Sequence, residues 1–145
     1  MALAAKTETG AVVSLWRYPV KSMIGEELGA AAVRDHGLLG DRAYALVDRS
    51  DGKIATAKNP RKWPNLFAFR AALVEGPGRG PGAHSLRITL PDGTVVAGGQ
   101  AGIDQVLSKA LNREVRLTAT APLACSCQKM LRAALPRPPI IPPSA

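Results

Sequence analysis

The chain has 145 residues, enough for one domain, and its formal net charge of +8 favours anionic partners such as phosphates, nucleic acid or an acidic surface. Its hydrophobic fraction of 46% allows a core, which must be largely aliphatic because aromatic residues make up only 4%. No apolar run approaches the ~20 residues that a membrane span needs, and the N-terminus lacks the apolar stretch of a signal peptide. We therefore expect a cytoplasmic protein without a membrane partner.

Short strand-like segments and tight turns alternate along most of the chain. Residues 12–18 are rich in strand formers, and Pro19 ends that strand because proline has no amide hydrogen to donate. Asp-Gly pairs at residues 51–52 and 92–93 indicate hairpin turns. The same kind of pattern predicts further strands at residues 28–33, 43–48, 53–57, 66–74, 86–90, 94–97 and 114–118.

One segment has the spacing of a helix. Apolar residues recur at helical intervals over residues 103–111, with Asp104 in the first turn and Lys109 in the last, as the helix dipole favours. Many short strands with one or two short helices predict a mainly β fold. We expect a small β-barrel or a strongly curved sheet.

The composition changes near Pro122. From there to the C-terminus the chain carries three basic residues and no acidic one, and five prolines fall within residues 136–143. Such a segment is predicted to be extended and loose. It contains Cys125 and Cys127, which are separated by one residue, and because cysteines so close along an extended chain rarely form a disulfide, we expect reduced thiols.

Cations at the ends of predicted strands are the first candidates for chemistry. Arg17 and Lys21 flank the end of the first strand, and Arg42 precedes the AYALVD strand. Strand ends converge at the rim of a barrel, where lysine gives a point charge and arginine a fork for phosphate oxygens. Ser22 adds a hydroxyl. The alternative is that all four are solvated surface residues.

A second basic group surrounds an aromatic residue in the loop RKWPN. Trp63 could stack on a flat ligand beside Arg61 and Lys62, an arrangement also found in proteins that bind single-stranded nucleic acid. The alternative is a loop anchor whose indole covers the core. Asp48 and Asp51 flank a hairpin turn and are interpreted as structural rather than as an acid and base pair.

Three motifs together resemble a known family. The segments YPVKS, G-x-x-G-D-R-x-Y-A-L-V-D and x-D-G-x-x-x-T-A occur in the order found in the N-terminal β-barrel domain of MOSC proteins. This is the molybdenum cofactor sulfurase C-terminal family, which includes the amidoxime-reducing component and its bacterial relatives. The resemblance covers residues 12–117, and we assign residues 10–120 to this domain.

The resemblance implies a ligand and three residues that bind it. The ligand is the molybdenum cofactor, a molybdopterin with a phosphate tail, and the matching positions are Lys21, Ser22 and Arg42. The family association adds pyridoxal phosphate binding to the expected properties. The parent activity is that of a molybdenum-dependent oxidoreductase or a sulfur carrier.

One departure from the family concerns the metal. The cysteine that ligates molybdenum belongs to the MOSC domain that follows the barrel, and neither Cys125 nor Cys127 stands in that context. We therefore assign no metal ligand or catalytic residue here, and interpret residues 121–145 as a disordered or frameshifted tail. The expected partners are the missing C-terminal MOSC half, or an equivalent chain, and redox proteins. The chain alone is expected to show little redox activity.

Two other functions remain open from the sequence. One is a basic β-barrel that binds nucleic acid through Arg61, Lys62, Trp63 and the cationic tail. The other is a substrate-selecting or interaction domain that never contacts a cofactor.

Overall fold

The computed structural model describes residues 9–35, 37–75, 84–120 and 129–132. Expectations for Cys125, Cys127 and the remainder of the tail lie outside these residues. The helical elements are a 3₁₀ turn at Leu66–Ala68 and the helix α1 at Ile103–Leu111. The strands are β1 Leu15–Arg17, β2 Glu26–Leu28, β3 Ala30–Arg34, β4 Gly37–Leu38, β5 Tyr44–Asp48, β6 Arg70–Glu75, β7 His84–Thr89, β8 Val95–Ala97, β9 Val115–Ala119 and β10 Lys129–Arg132.

The strands of the described residues pair as antiparallel ladders. These ladders are β1 with β2, β10 with β3 and β4, β5 with β9, and β6 with β7 and β8. Residues 19–24 run between two of the ladders, with Val20 forming a parallel bridge to Tyr44 and Ile24 one to Arg70. The result is a mainly β fold of curved sheets, as predicted, without a closed barrel in the described part of the chain.

One core joins the β5–β9 ladder and the β6–β7–β8 ladder to the helix. Helix α1 has the predicted bounds and buries Ile103 and Leu107 against it. Aliphatic side chains dominate, as the composition predicts, and burial of such side chains is the main favourable term in folding. No described helix has both the length and the apolar character that crossing a membrane would take. The largest fully buried apolar side chains are Val20, Met23, Leu46, Leu66, Phe69, Ile88, Leu107 and Val115.

Four predicted strands differ from the structure. The first strand is shorter than predicted and begins at Leu15. The strand predicted at residues 28–33 spans two elements, the end of β2 and most of β3. Residues 53–57 do return beside β5, but only Ile54 forms a bridge, to Val47. Residues 66–68 form a 3₁₀ turn rather than a strand, and the amide of Phe69, directly after the turn, donates to the carbonyl of Leu66 at 3.3 Å. This turn directs both Leu66 and Phe69 into the core.

The tail contributes one described element. Residues 129–132 form β10, which pairs antiparallel with β3, from Lys129 opposite Val33 to Arg132 opposite Ala30. These four residues are therefore not loose. The boundary between a domain at 10–120 and a tail at 121–145 remains a prediction.

A buried carboxylate connects the first hairpin to the loop that follows it. Asp48 is fully buried and contacts Lys62 Nζ at 2.7 Å and Arg113 Nη1 at 3.3 Å, while the Ser50 hydroxyl donates to it at 2.6 Å. Asp51 also pairs with Lys62, at 2.7 Å. These contacts confirm the structural interpretation of both aspartates, and they hold the RKWPN loop against β5.

We expect Asp48→Asn to destabilise the fold strongly. The asparagine amide leaves Lys62 and Arg113 without the buried carboxylate that both contact. Removing one partner of a buried ion pair lowers the free energy of unfolding by roughly 3 kcal/mol or more. We expect the lower end of that range because both cations also reach solvent. Asp51→Asn is the matched control and should cost much less because Asp51 is exposed. Urea unfolding measures both variants, and equal losses would contradict the account.

The same carboxylate predicts a pH dependence of stability. Burial alone would raise the pKa of Asp48, but the hydrogen bonds from Lys62 and Ser50 outweigh it and hold that pKa well below its usual value. The stabilisation by the Asp48 carboxylate is therefore complete above its unfolded-state pKa of about 4. It is lost progressively as the pH falls from there towards the lower pKa of the folded state. The stability gap between the wild type and Asp48→Asn should shrink below pH 4. A gap that stays constant down to pH 2 would argue against this ion pair.

Candidate functional site

A cleft of about 470 Å³ contains all three residues that the sequence assigned to ligand binding. Lys21, Ser22 and Arg42 come from two separate segments, and a third segment, residues 56–58, completes the walls. The full lining is Tyr18, Lys21, Ser22, Met23, Arg42, Thr56, Ala57, Lys58 and Phe67.

Backbone hydrogen bonds fix the segment that carries Lys21 and Ser22. The amide of Lys21 donates to the carbonyl of Tyr44 at 3.0 Å, and the amide of Ile24 donates to the carbonyl of Phe69 at 2.9 Å. Between these anchors the chain turns, and Ser22 has a φ of 67°. This left-handed conformation is unfavourable for a residue other than glycine, so the surrounding contacts must hold it.

Arg42 lies at the end of a glycine-containing turn. Gly40 has a φ of 83°, a left-handed conformation that favours glycine at this position of the G-x-x-G-D-R motif. Arg42 itself has a φ of 50°; its amide donates to the carbonyl of Tyr18 at 2.7 Å. The hydroxyl of Thr120 donates to the Arg42 carbonyl at 2.6 Å. Two of the three predicted binding residues therefore have left-handed backbones.

The Arg42 side chain is partly engaged and largely exposed. Its Nη1 atom pairs with Asp41 Oδ2, its guanidinium lies 5.9 Å from the centre of the Tyr18 ring, and 64% of the side chain is accessible. Asp41 also accepts a hydrogen bond from the amide of Tyr18 at 2.8 Å. Because Asp41 orients the guanidinium from one side, the remaining N–H donors stay available to a ligand.

Ser22 connects two walls of the cleft. Its Oγ accepts a hydrogen bond from the amide of Ala57 at 3.1 Å, which ties residues 56–58 to the turn at Ser22. The hydroxyl hydrogen remains free to donate, since accepting and donating use different parts of the same group. Ser22 is thus both a positioning residue and a donor that faces the cleft.

The cleft is strongly electropositive. Three of its nine lining residues are cationic and none is acidic. Within the described residues, only Arg42 of these three has a carboxylate partner, because neither Lys21 nor Lys58 forms an ion pair there. Unpaired cations beside hydroxyl groups are side chains suited to holding an anion.

Arg17, one of the candidates at strand ends, neither lines this cleft nor lies in solvent. It points inward from β1, where its Nη2 atom lies 2.8 Å from Glu26 Oε1 and its guanidinium donates to the carbonyls of Leu39 and Leu73. The reason is strand alternation, since Arg17 shares the buried face of β1 with Leu15 and lies opposite Glu26 in the register. Its charge is compensated inside the fold.

The RKWPN loop is built as an anchor. Trp63 is only 4% exposed, with Lys62 Nζ at 5.6 Å and the Arg113 guanidinium at 5.4 Å from its ring. Lys62 forms ion pairs with Asp48 and Asp51. A ring that is buried and a lysine that is neutralised offer little to a nucleic acid base or phosphate.

The described residues contain no cluster of three or more side chains that could hold a metal ion. The two cysteines of the chain lie outside these residues.

Sequence reasoning missed Tyr18, Thr56, Lys58 and Phe67. Thr56 and Ala57 are the T-A of the third motif, so the motif itself pointed to this wall. Lys58 follows directly in the sequence, but no pattern marked it as a binding residue. Phe67 was placed in a strand, and its exposure depends on the 3₁₀ turn, which has no clear signal in the sequence.

The comparison with protein families agrees with the motifs. The model of the MOSC N-terminal beta barrel domain matches residues 9–128, most of the chain. The protein therefore belongs to the MOSC N-terminal beta barrel domain family. No curated protein matches the chain.

Arg42 provides a test of backbone strain at the site. Arg42→Gly should be more stable than Arg42→Val by about 1 kcal/mol, because glycine tolerates a φ of 50° and a β-branched residue does not. Both variants lose the same side-chain contacts with Asp41 and Tyr18, so each serves as the control for the other. Urea unfolding compares them, and a valine variant as stable as the glycine variant would contradict the left-handed conformation.

Proposed function

We propose that this cleft binds the anionic, phosphate-bearing end of a molybdenum cofactor, and that the chain is the N-terminal part of a MOSC protein of oxidoreductase or sulfur-carrier type. Membership of the family supports this proposal, since MOSC proteins are generally associated with that cofactor. The observation that carries it is the convergence of Lys21, Ser22 and Arg42 on one cleft without an acidic lining residue.

Each of the three residues has a distinct task in this proposal. Lys21 supplies a mobile ammonium that is not paired within the described residues, and Arg42 supplies a guanidinium that Asp41 already orients. Ser22 donates its hydroxyl hydrogen to the same anion. Left-handed backbones at two of these positions fit a site in which the fold holds residues in place for a ligand.

The cofactor would supply redox chemistry or sulfur transfer at its metal, and the described residues would bind and orient its anionic end. The thiolate for the metal would come from a C-terminal MOSC half or an equivalent chain, with redox proteins as further partners. On this proposal the chain alone has little redox activity. The same cations suit the phosphate of pyridoxal phosphate, which remains a prediction.

Cofactor binding can be measured on the full chain. Molybdopterin released from a denatured donor protein is dialysed against the wild type, Lys21→Gln and Arg42→Gln, and the bound pterin is read by fluorescence. Each substitution should weaken binding roughly tenfold, the effect of losing one charge-assisted hydrogen bond. Affinity should also fall with added salt.

Lys53→Gln is the matched control, because Lys53 is exposed and lies outside the cleft. It should bind like the wild type. Absence of binding by the wild type, or equal losses in Lys53→Gln and Lys21→Gln, would refute the proposed function.

A further inference from the structure

Lys58 and Phe67 are cleft residues for which the described structure shows no role in folding. The ammonium of Lys58 has no ion-pair partner among the described residues, whereas the nearby Lys62 pairs with two aspartates. Phe67 is 62% exposed, although Leu66 in the same 3₁₀ turn and Phe69 directly after it are fully buried. Leaving a phenylalanine ring in water forgoes the stabilisation that its burial would give.

The backbone under Lys58 is held in a defined position. The Ser22 hydroxyl accepts a hydrogen bond from the amide of Ala57 at 3.1 Å, and the hydroxyl of Thr56 accepts one from the amide of Lys58 at 3.3 Å. The amide of Asn59 then donates to the carbonyl of Thr56 at 3.1 Å. A side chain that is free on a fixed backbone is the arrangement expected of a binding residue.

The backbone under Phe67 is equally defined. The amide of Ala68 donates to the carbonyl of Asn65 at 3.0 Å, and the amide of Phe69 closes the turn onto Leu66. Leu66 and Phe69 anchor both sides of the turn in the core. The geometry of the turn therefore places the ring of Phe67 in the lining of the cleft.

We propose that Lys58 and Phe67 complete the ligand site, Lys58 as a second ammonium for the anionic group and Phe67 as the surface on which a planar ring of the ligand packs. This inference rests on the proposed function only in that it concerns the same cleft. Three cations against one neighbouring carboxylate, Asp41, match a ligand group with two negative charges better than one with a single charge. An exposed aromatic ring beside them favours a flat ligand.

Two simple probes separate the two roles. Inorganic phosphate carries the charge alone, and guanosine 5′-monophosphate joins a phosphate to a flat bicyclic ring. Calorimetric titration of the full chain should show guanosine 5′-monophosphate binding about tenfold more tightly than phosphate, the usual gain from one stacked base. Lys58→Gln should lower the affinity for each of the two probes by a similar factor of roughly ten.

Phe67→Ala should act on one probe only. It should bring the affinity for guanosine 5′-monophosphate down to that for phosphate and leave phosphate binding unchanged. The matched controls are Lys53→Gln, an exposed lysine outside the cleft, and Trp16→Ala, an exposed aromatic residue on β1. Both should bind the two probes like the wild type.

The outcomes distinguish this inference from the proposed function. If the wild type takes up molybdopterin while Lys58→Gln and Phe67→Ala bind both probes as their controls do, the inference fails and the proposed function stands. If the wild type takes up no molybdopterin but the two variants show the expected pattern, the proposed function fails and the inference stands. A wild type that binds neither probe overturns the inference.

Discussion

The cleft depends on one stretch of backbone, residues 19–24, which lies between β5 and β6 and bonds to both. The amide of Tyr44 donates to the carbonyl of Pro19 at 2.9 Å, and the amide of Lys21 donates to the carbonyl of Tyr44 at 3.0 Å. At the other end, the amide of Ile24 donates to the carbonyl of Phe69. Val20 and Met23 from this stretch are buried in the core. Because both ends are pinned and the inner side is packed, the Lys21–Ser22 pair has to turn outward. The chain thus places an ammonium and a hydroxyl after a proline where two ladders meet.

The loop at residues 59–65, which follows the cleft wall at residues 56–58, is held by the buried carboxylate of Asp48. Lys62 and Arg113 converge on this carboxylate and enclose the ring of Trp63, which holds the loop after residue 58 against the sheet. The chain therefore uses its positive charges in two ways. Arg17, Lys62 and Arg113 pair with carboxylates of the fold, whereas Lys21 and Lys58 in the cleft have no carboxylate partner among the described residues. The net charge of +8 could not separate these groups, since that distinction requires three-dimensional contacts.

Much of the fold could be predicted from local patterns, and the exceptions have physical causes. Helix α1 was predicted with its observed bounds because its apolar spacing and its terminal charges agree. The strand at residues 53–57 was overpredicted because an Asp-Gly turn specifies a return of the chain but not the length of its ladder. Lys21, Ser22 and Arg42 were found through family motifs rather than through spacing. Lys58 and Phe67 were missed because their place in the cleft depends on the Ser22 contact and on the 3₁₀ turn.

The most direct test of the account is to locate the bound anion on the protein. Backbone amide chemical shifts of the full chain would be followed while molybdopterin, or phosphate as its simplest part, is titrated in. We expect the largest changes at residues 18–23, 42, 56–58 and 67, which line or border the cleft. Changes concentrated instead at residues 61–63, with the cleft unaffected, would contradict the central claim and favour the nucleic acid interpretation of the basic loop.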